Sequence, residues 1–139
     1  MKKESKTALV LEGGAMRGIY TAGVLDILLK NNIKVDAVIG VSAGAIHGCS
    51  YVSEQYKRSI NYYKECRKDY RFMSFKSFFK TGNIVDTEYC YHEIPDVIFP
   101  FDHDTFEKSS TKFYVTVTNI ETGEPEYIHL KSLRKENID

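Results

Sequence analysis

Residues 40–44 read Gly40-Val41-Ser42-Ala43-Gly44, after the apolar run Ala37-Val38-Ile39 and before the small-residue segment Ala45-Ile46-His47-Gly48. A serine at that place in a strand–turn–helix order can act as an acyl-transfer nucleophile. It has to sit on a sharp bend so that its hydroxyl projects past the sheet edge, and the flanking Gly40 and Gly44 remove side chains that would clash there. The helix that follows turns its first N–H groups toward negative charge developing on a substrate oxygen. A second cluster, Glu12-Gly13-Gly14-Ala15-Met16-Arg17-Gly18, offers further backbone amides for the same purpose.

The elements that must position these residues follow from the pattern of apolar side chains. Residues 7–11 are a short apolar run, which predicts a strand buried on both faces. Residues 17–29 place Tyr20, Val24, Ile27 and Leu28 on one helical stripe, widened by Ala22, Leu25 and Leu29, with a stop at Asn31-Asn32. A second buried strand is expected at 37–41 and a second helix at 43–55. Strand, helix and strand in about 35 residues make a βαβ unit, so the strands should run parallel through a right-handed crossover. Both glycine clusters then meet at the same carboxyl edge of the sheet.

One or two helices are expected over 56–80, then a turn at Lys80-Thr81-Gly82-Asn83 and a short helix over 87–93 ending at Pro95. Residues 112–118 alternate, with Phe113, Val115 and Val117 on one side. The turn Glu121-Thr122-Gly123-Glu124-Pro125 leads into 127–130 and completes a hairpin. No terminal element is expected in 135–139.

The chain has 139 residues, 42% of them hydrophobic and 27% charged, with zero formal net charge, which is the composition of a globular protein. That charge is uneven: residues 56–80 carry 8 Lys/Arg against 2 Asp/Glu, and residues 81–139 carry 5 against 12. Cys49, Cys66 and Cys90 are odd in number and lack metal-ligand or disulfide spacing, which fits a reducing compartment. Cys49 is assigned to the core. No metal and no cofactor is expected. The basic start is followed by too short an apolar run for a signal peptide. The window 37–52 carries Gly40, Gly44 and Gly48 at membrane-dimer spacing, yet it is interrupted by polar residues and falls short of the ~20 residues a bilayer requires. A cytoplasmic protein, at most peripheral to membranes, is expected.

Rival readings of the glycine clusters fail on detail. A dinucleotide site requires Gly-x-Gly-x-x-Gly and an acid ending the second strand, whereas here the pattern is Gly13-x-Ala15-x-x-Gly18 and the strand ends at Ser42. A phosphate-binding P-loop lacks its Gly-Lys-Ser/Thr. An α/β-hydrolase places several strands before the strand that carries its elbow, and only one precedes the strand that leads into Ser42.

The chain resembles the N-terminal part of a bacterial patatin-like phospholipase over nearly its whole length. The matching pieces run from Leu11-Glu12-Gly13-Gly14-Ala15-Met16-Arg17-Gly18 through Tyr20-Thr21-Ala22-Gly23-Val24-Leu25-Asp26 to Val38-Ile39-Gly40-Val41-Ser42-Ala43-Gly44. They continue with Tyr70-Arg71-Phe72-Met73-Ser74, Lys80-Thr81-Gly82-Asn83, Pro100-Phe101-Asp102 and residues 117–123. The resemblance implies an α/β fold, a three-layer α/β/α sandwich around a mostly parallel sheet, with residues 1–139 as the N-terminal portion of one domain. It implies a lipid acyl hydrolase with a Ser–Asp dyad: Ser42 as nucleophile, the amides of Gly13, Gly14 and Ala15 as oxyanion hole, Arg17 and Gly18 supporting that loop.

Two departures matter. The family's catalytic Asp lies in an Asp-Gly-Gly or Asp-Gly-Ala motif, and this sequence has no Asp-Gly pair. The base is therefore expected beyond this chain, leaving 1–139 inactive alone, since a serine without a base is a poor nucleophile. Asp86, Asp102 and Asp104 read as helix caps or solvated residues. The second departure is Ala15, where the family has a third glycine; a left-handed backbone there costs ~1–2 kcal/mol. His47 reads as a packed side chain.

The basic, aromatic stretch 56–80 admits two readings: a helix pair with aromatics inside, or contact with anionic lipid headgroups. No nucleic-acid partner is expected. The alternative to an enzyme is a truncated or split, non-catalytic module that binds a partner chain or a lipid surface.

Overall fold

The computed structural model describes residues 5–134. The readings for the first four residues and for 135–139 lie outside that range. The chain divides into two compact units, residues 1–56 with 102–139, and residues 57–101.

The first unit holds a four-stranded sheet in the order β1 (Ala8–Leu11), β2 (Ala37–Gly40), β3 (Lys112–Thr118), β4 (Pro125–Leu130). β1, β2 and β3 are parallel, with Leu11 opposite Gly40 and Gly40 opposite Val115; β4 closes antiparallel on β3. The hairpin is fixed by Asn119, whose Oδ1 accepts from the N–H groups of Glu121 and Thr122, and by Gly123 at φ 75°. Mostly parallel strands with helical crossovers make the fold α/β.

Two helices serve the sheet: α1 (Gly18–Lys30) links β1 to β2, and α2 (Ala43–Val52) follows β2. The strands step across the sheet in one direction, so right-handed crossovers put both helices on one face. There α2 packs on β2 and β3, and α1 packs on α2. The stripe Gly40, Gly44, Gly48 permits this close seat. A Cβ on Gly48 would stand 2.9 Å from the Phe113 ring and 3.0 Å from Val38, the two most deeply buried apolar side chains of the sheet. Phe106 of α5 (His103–Lys108) meets Phe113 edge-on at 5.6 Å.

Three expectations for this unit are corrected. β1 is not buried on both faces: Val10 is 76% exposed, because β1 is an edge strand and the helices cover the other side. The buried face of α1 is Gly18, Ala22, Leu25 and Asp26, while Tyr20, Val24 and Ile27 are exposed. Small residues select the contact, since only they let α1 approach His47 and Ala43 of α2. Cys49 is only half-buried, its Sγ donating to the Ile46 carbonyl at 3.0 Å.

The second unit contains α3 (Arg58–Cys66), α4 (Phe75–Thr81) and a wide-turned π-helix (Tyr89–Ile98). Tyr62, Tyr63, Cys66, Tyr89 and Ile94 form its core. Arg71 ties it together, bonding Asp69 at 2.8 Å and Glu93 at 2.6 Å while lying 4.0 Å over the Tyr89 ring. The helix expected to end at Pro95 runs through it to Ile98. A wider turn relieves the clash between a proline ring and the preceding turn, and proline has no N–H to satisfy.

Candidate active site

The end of β2 and the start of α2 leave almost no room at the bend. A Cβ on Gly40 would fall 2.6 Å from the Ala45 Cα, and one on Gly44 would fall 2.3 Å from the Leu11 carbonyl oxygen. Between them Ser42 adopts φ 50°, ψ −120°, a backbone region that side chains other than glycine enter only at a cost. Ser42 is exposed, and its carbonyl accepts from the N–H groups of Ala45 (2.9 Å) and Ile46 (3.2 Å), opening α2. The bend is anchored to the neighbouring strand by Val41 N–H donating to the Leu11 carbonyl at 3.0 Å.

The loop after β1 comes to the same place. A Cβ on Gly13 would stand 3.3 Å from the Ser42 Cβ and 3.4 Å from the Val41 carbonyl, so the backbone of Gly13 lies against the serine. Gly14 lies under Arg17: a Cβ there would be 3.6 Å from the Arg17 Cβ and 3.7 Å from Nε, and the Gly14 carbonyl accepts from Arg17 N–H at 2.9 Å. Ala15 has φ 45° and begins the 3-10 turn Ala15–Arg17 that leads into α1. Gly18 then packs on α2, where its Cβ would meet the His47 ring at 2.7 Å. Thus the serine bend and residues 13–18 share one sheet edge, an arrangement that can offer a hydroxyl and several backbone amides to one carbonyl.

His47 is nearly fully buried, and burial pushes its pKa down to about 4. It therefore sits as a neutral packing residue between α1 and α2. The carboxylates of Asp86, Asp102 and Asp104 are engaged by other groups. Asp102 accepts from Thr105 N–H (2.9 Å) and Oγ1 (2.7 Å) at the start of α5; the Thr105 backbone bond, above all, holds its carboxyl below the usual range. Asp86 accepts from Tyr89 N–H at 3.0 Å, and Asp104 pairs with Arg134. A cavity of about 490 Å³ lined by Ile33, Lys34, Tyr51, Glu54, Lys108 and Thr111 lies at the opposite, amino-terminal end of the strands, away from Ser42.

Sequence reasoning missed the Leu11 carbonyl, which both receives Val41 and sets the limit on residue 44. A backbone group carries no side-chain signal. The packed character of His47 is legible in the sequence, whereas its pairing with Gly18 across two helices carries no local signal.

In the basic, aromatic stretch, α3 buries Tyr62 and Tyr63, whereas α4 leaves its phenylalanines outside. No helix among the described residues is long and apolar enough to cross a membrane.

Comparison with known proteins accords with the resemblance in the sequence. The chain is 29% identical over 128 residues to the Uncharacterized protein YjjU of Escherichia coli K12, covering 88% of this chain and 35% of that protein. It is 30% identical over 129 residues to Lysophospholipase nte1 of Aspergillus terreus, and 29% identical over 125 residues to the Aspergillus oryzae protein of the same name. Each of these matches covers 86% of this chain and 8% of the relative. The chain thus spans about a third of the length of the bacterial relative and under a tenth of the fungal ones. The model of the patatin-like phospholipase family matches residues 9–138, and the chain belongs to that family.

Proposed function

We propose that this chain is the N-terminal portion of a lipid acyl hydrolase domain in which Ser42 is the nucleophile. The Ser42 Oγ attacks the ester carbonyl and forms a serine ester. The bond to the alcohol breaks, the serine proton passes through a base to that alcohol, and water then releases the fatty acid. The amides of Gly13, Gly14 and Ala15 receive the oxyanion. Arg17 holds their loop, and Gly18 fixes the start of α1. The single observation that carries the reading is the strained Ser42 backbone, φ 50° and ψ −120°, with Gly13 packed against it. Strain of this kind clusters at functional sites.

The base in this proposal is an aspartate outside residues 1–139, because Asp86, Asp102 and Asp104 are held by other groups. The protein works in the cytoplasm at lipid surfaces, with the stretch 56–80 as the contact region. The test is turnover of a short-chain nitrophenyl ester. Residues 1–139 should match their Ser42→Ala variant, and a longer chain carrying the aspartate should exceed its own Ser42→Ala variant. Ser42-dependent turnover by 1–139 would place the base inside this chain; a longer chain indifferent to Ser42→Ala would remove the hydrolase reading.

A second reading, a non-catalytic module that docks a partner chain, is favoured by one observation: β1 is an edge strand with Val10 exposed, a template for another strand. Ester turnover by the longer chain separates the two.

A further inference from the structure

We propose that α4 is a membrane-docking element whose phenylalanines enter the surface of an anionic phospholipid bilayer. The helix is built inside out. At 100° per residue Phe75, Phe78 and Phe79 share one face and Ser77 lies opposite. Phe75 is 77% exposed, Phe79 84% and Phe78 46%, while the small polar Ser77 is only 1% exposed. The neighbouring α3 does the reverse, burying Tyr62, Tyr63 and Cys66 and exposing Asn61, Lys64 and Glu65. One composition thus yields two opposite faces, and of these two helices it is α4 that presents its aromatics to water.

The exposure belongs to a well-tied element. Ser74 caps α4 by accepting from Ser77 N–H at 3.0 Å, its own N–H donates to the Ile84 carbonyl at 3.0 Å, and Gly82 at φ 79° ends the helix. Met73 and Ile84, brought together at the helix start by the Ser74–Ile84 bond, are further exposed apolar residues.

Charge selects the occupant. Residues 70–82 contain Arg71, Lys76 and Lys80 and no Asp or Glu. Arg71 is neutralised by Asp69 and Glu93, whereas Lys76 and Lys80 hold their ammonium groups over the Tyr70 ring at 4.4 and 5.3 Å. Aromatic side chains flanked by lysines match the boundary between acyl chains and anionic headgroups. The bilayer as occupant rests on the lipid-hydrolase reading for context; the inverted face stands without it.

The chain has no tryptophan, so Phe79→Trp supplies a single reporter. The probe is vesicles of phosphatidylcholine with about 30% phosphatidylserine, against pure phosphatidylcholine. The expected result is a blue shift with the anionic vesicles and quenching by brominated acyl chains. Vesicle affinity in sedimentation should fall about tenfold or more in Phe75→Ser/Phe79→Ser, and about fivefold for each of Lys76→Gln and Lys80→Gln. Both sites are exposed, so circular dichroism should report unchanged folding. An unshifted, unquenched reporter overturns the proposal, as does equal binding by Phe75→Ser/Phe79→Ser or its loss in Ser42→Ala. Self-association removed by Phe75→Ser/Phe79→Ser without vesicle binding also overturns it, giving the face to a protein. Insertion together with a longer chain indifferent to Ser42→Ala would sustain this proposal and sink the hydrolase reading alone.

Discussion

Gly44→Ala adds one methyl group at the point where α2 meets the end of β1. That carbon would lie 2.3 Å from the Leu11 carbonyl oxygen and 2.7 Å from that of Glu12, where ordinary contact begins at 3.4 Å. The helix start and the strand end would have to separate by about 1.1 Å (3.4 minus 2.3), and neither neighbour is a side chain that can swing aside. The Leu11 carbonyl is further constrained by the Val41 N–H at 3.0 Å. Overpacking of this kind costs about 1–3 kcal/mol, and weakening that hydrogen bond adds about 1 kcal/mol. Alanine's better helix propensity returns about 1 kcal/mol. The net expectation is a loss of roughly 1–3 kcal/mol, or about 0.5–2 M in the urea midpoint. Gly23→Ala is the control, since a Cβ there meets nothing within 4 Å; it should raise stability by about 0.5–1 kcal/mol. Urea unfolding followed by circular dichroism reads both. If Gly44→Ala is as stable as the parent, or the two variants shift in the same direction, the packing account of this edge is refuted.

Ser42→Gly should raise stability by about 1 kcal/mol by relieving the backbone at φ 50°, while abolishing nucleophilic reactivity; thermal melts check the first effect and activity of the longer chain the second. Ala15→Gly should stabilise by about 1 kcal/mol, since φ 45° suits glycine; a drop in melting temperature would contradict the left-handed assignment. His47 has a folded-state pKa near 4, below the ordinary 6.5, so the unfolded chain binds the extra proton between those values. Stability should therefore fall as pH falls from about 6.5 to 4, by up to about 3 kcal/mol. In His47→Gln urea midpoints should lose that part of the pH slope, although the variant starts less stable.

Both glycine clusters, the βαβ order and the hairpin were legible because each rests on local chemistry: a bend that excludes side chains, a run of apolar residues, an Asn and Gly turn. Which face of α1 is buried was not legible. Apolar periodicity favoured Tyr20, Val24 and Ile27, but the fit of Gly18 and Ala22 onto α2 decided it, and that depends on His47 and Ala43 far along the chain. β1 looked doubly buried because its residues are apolar; its exposure follows from strand order, which no local pattern encodes. Pro95 signals a helix end only for ordinary turns. The inversion of α4 also escaped the sequence, since alternating Phe and Lys at helical spacing does not say which face is inward.

The most direct test of the central claim is covalent: reaction with a fluorophosphonate, then mass mapping of the adduct. In a longer chain that carries the aspartate one adduct is expected, on Ser42, absent in Ser42→Ala and Ser42→Gly, with far slower labelling of residues 1–139. In residues 1–139 the labelling rate should rise about tenfold per pH unit through neutrality, as for a hydroxyl without a base. In the longer chain an adduct elsewhere, or a Ser42 no more reactive than other exposed serines, would contradict the claim.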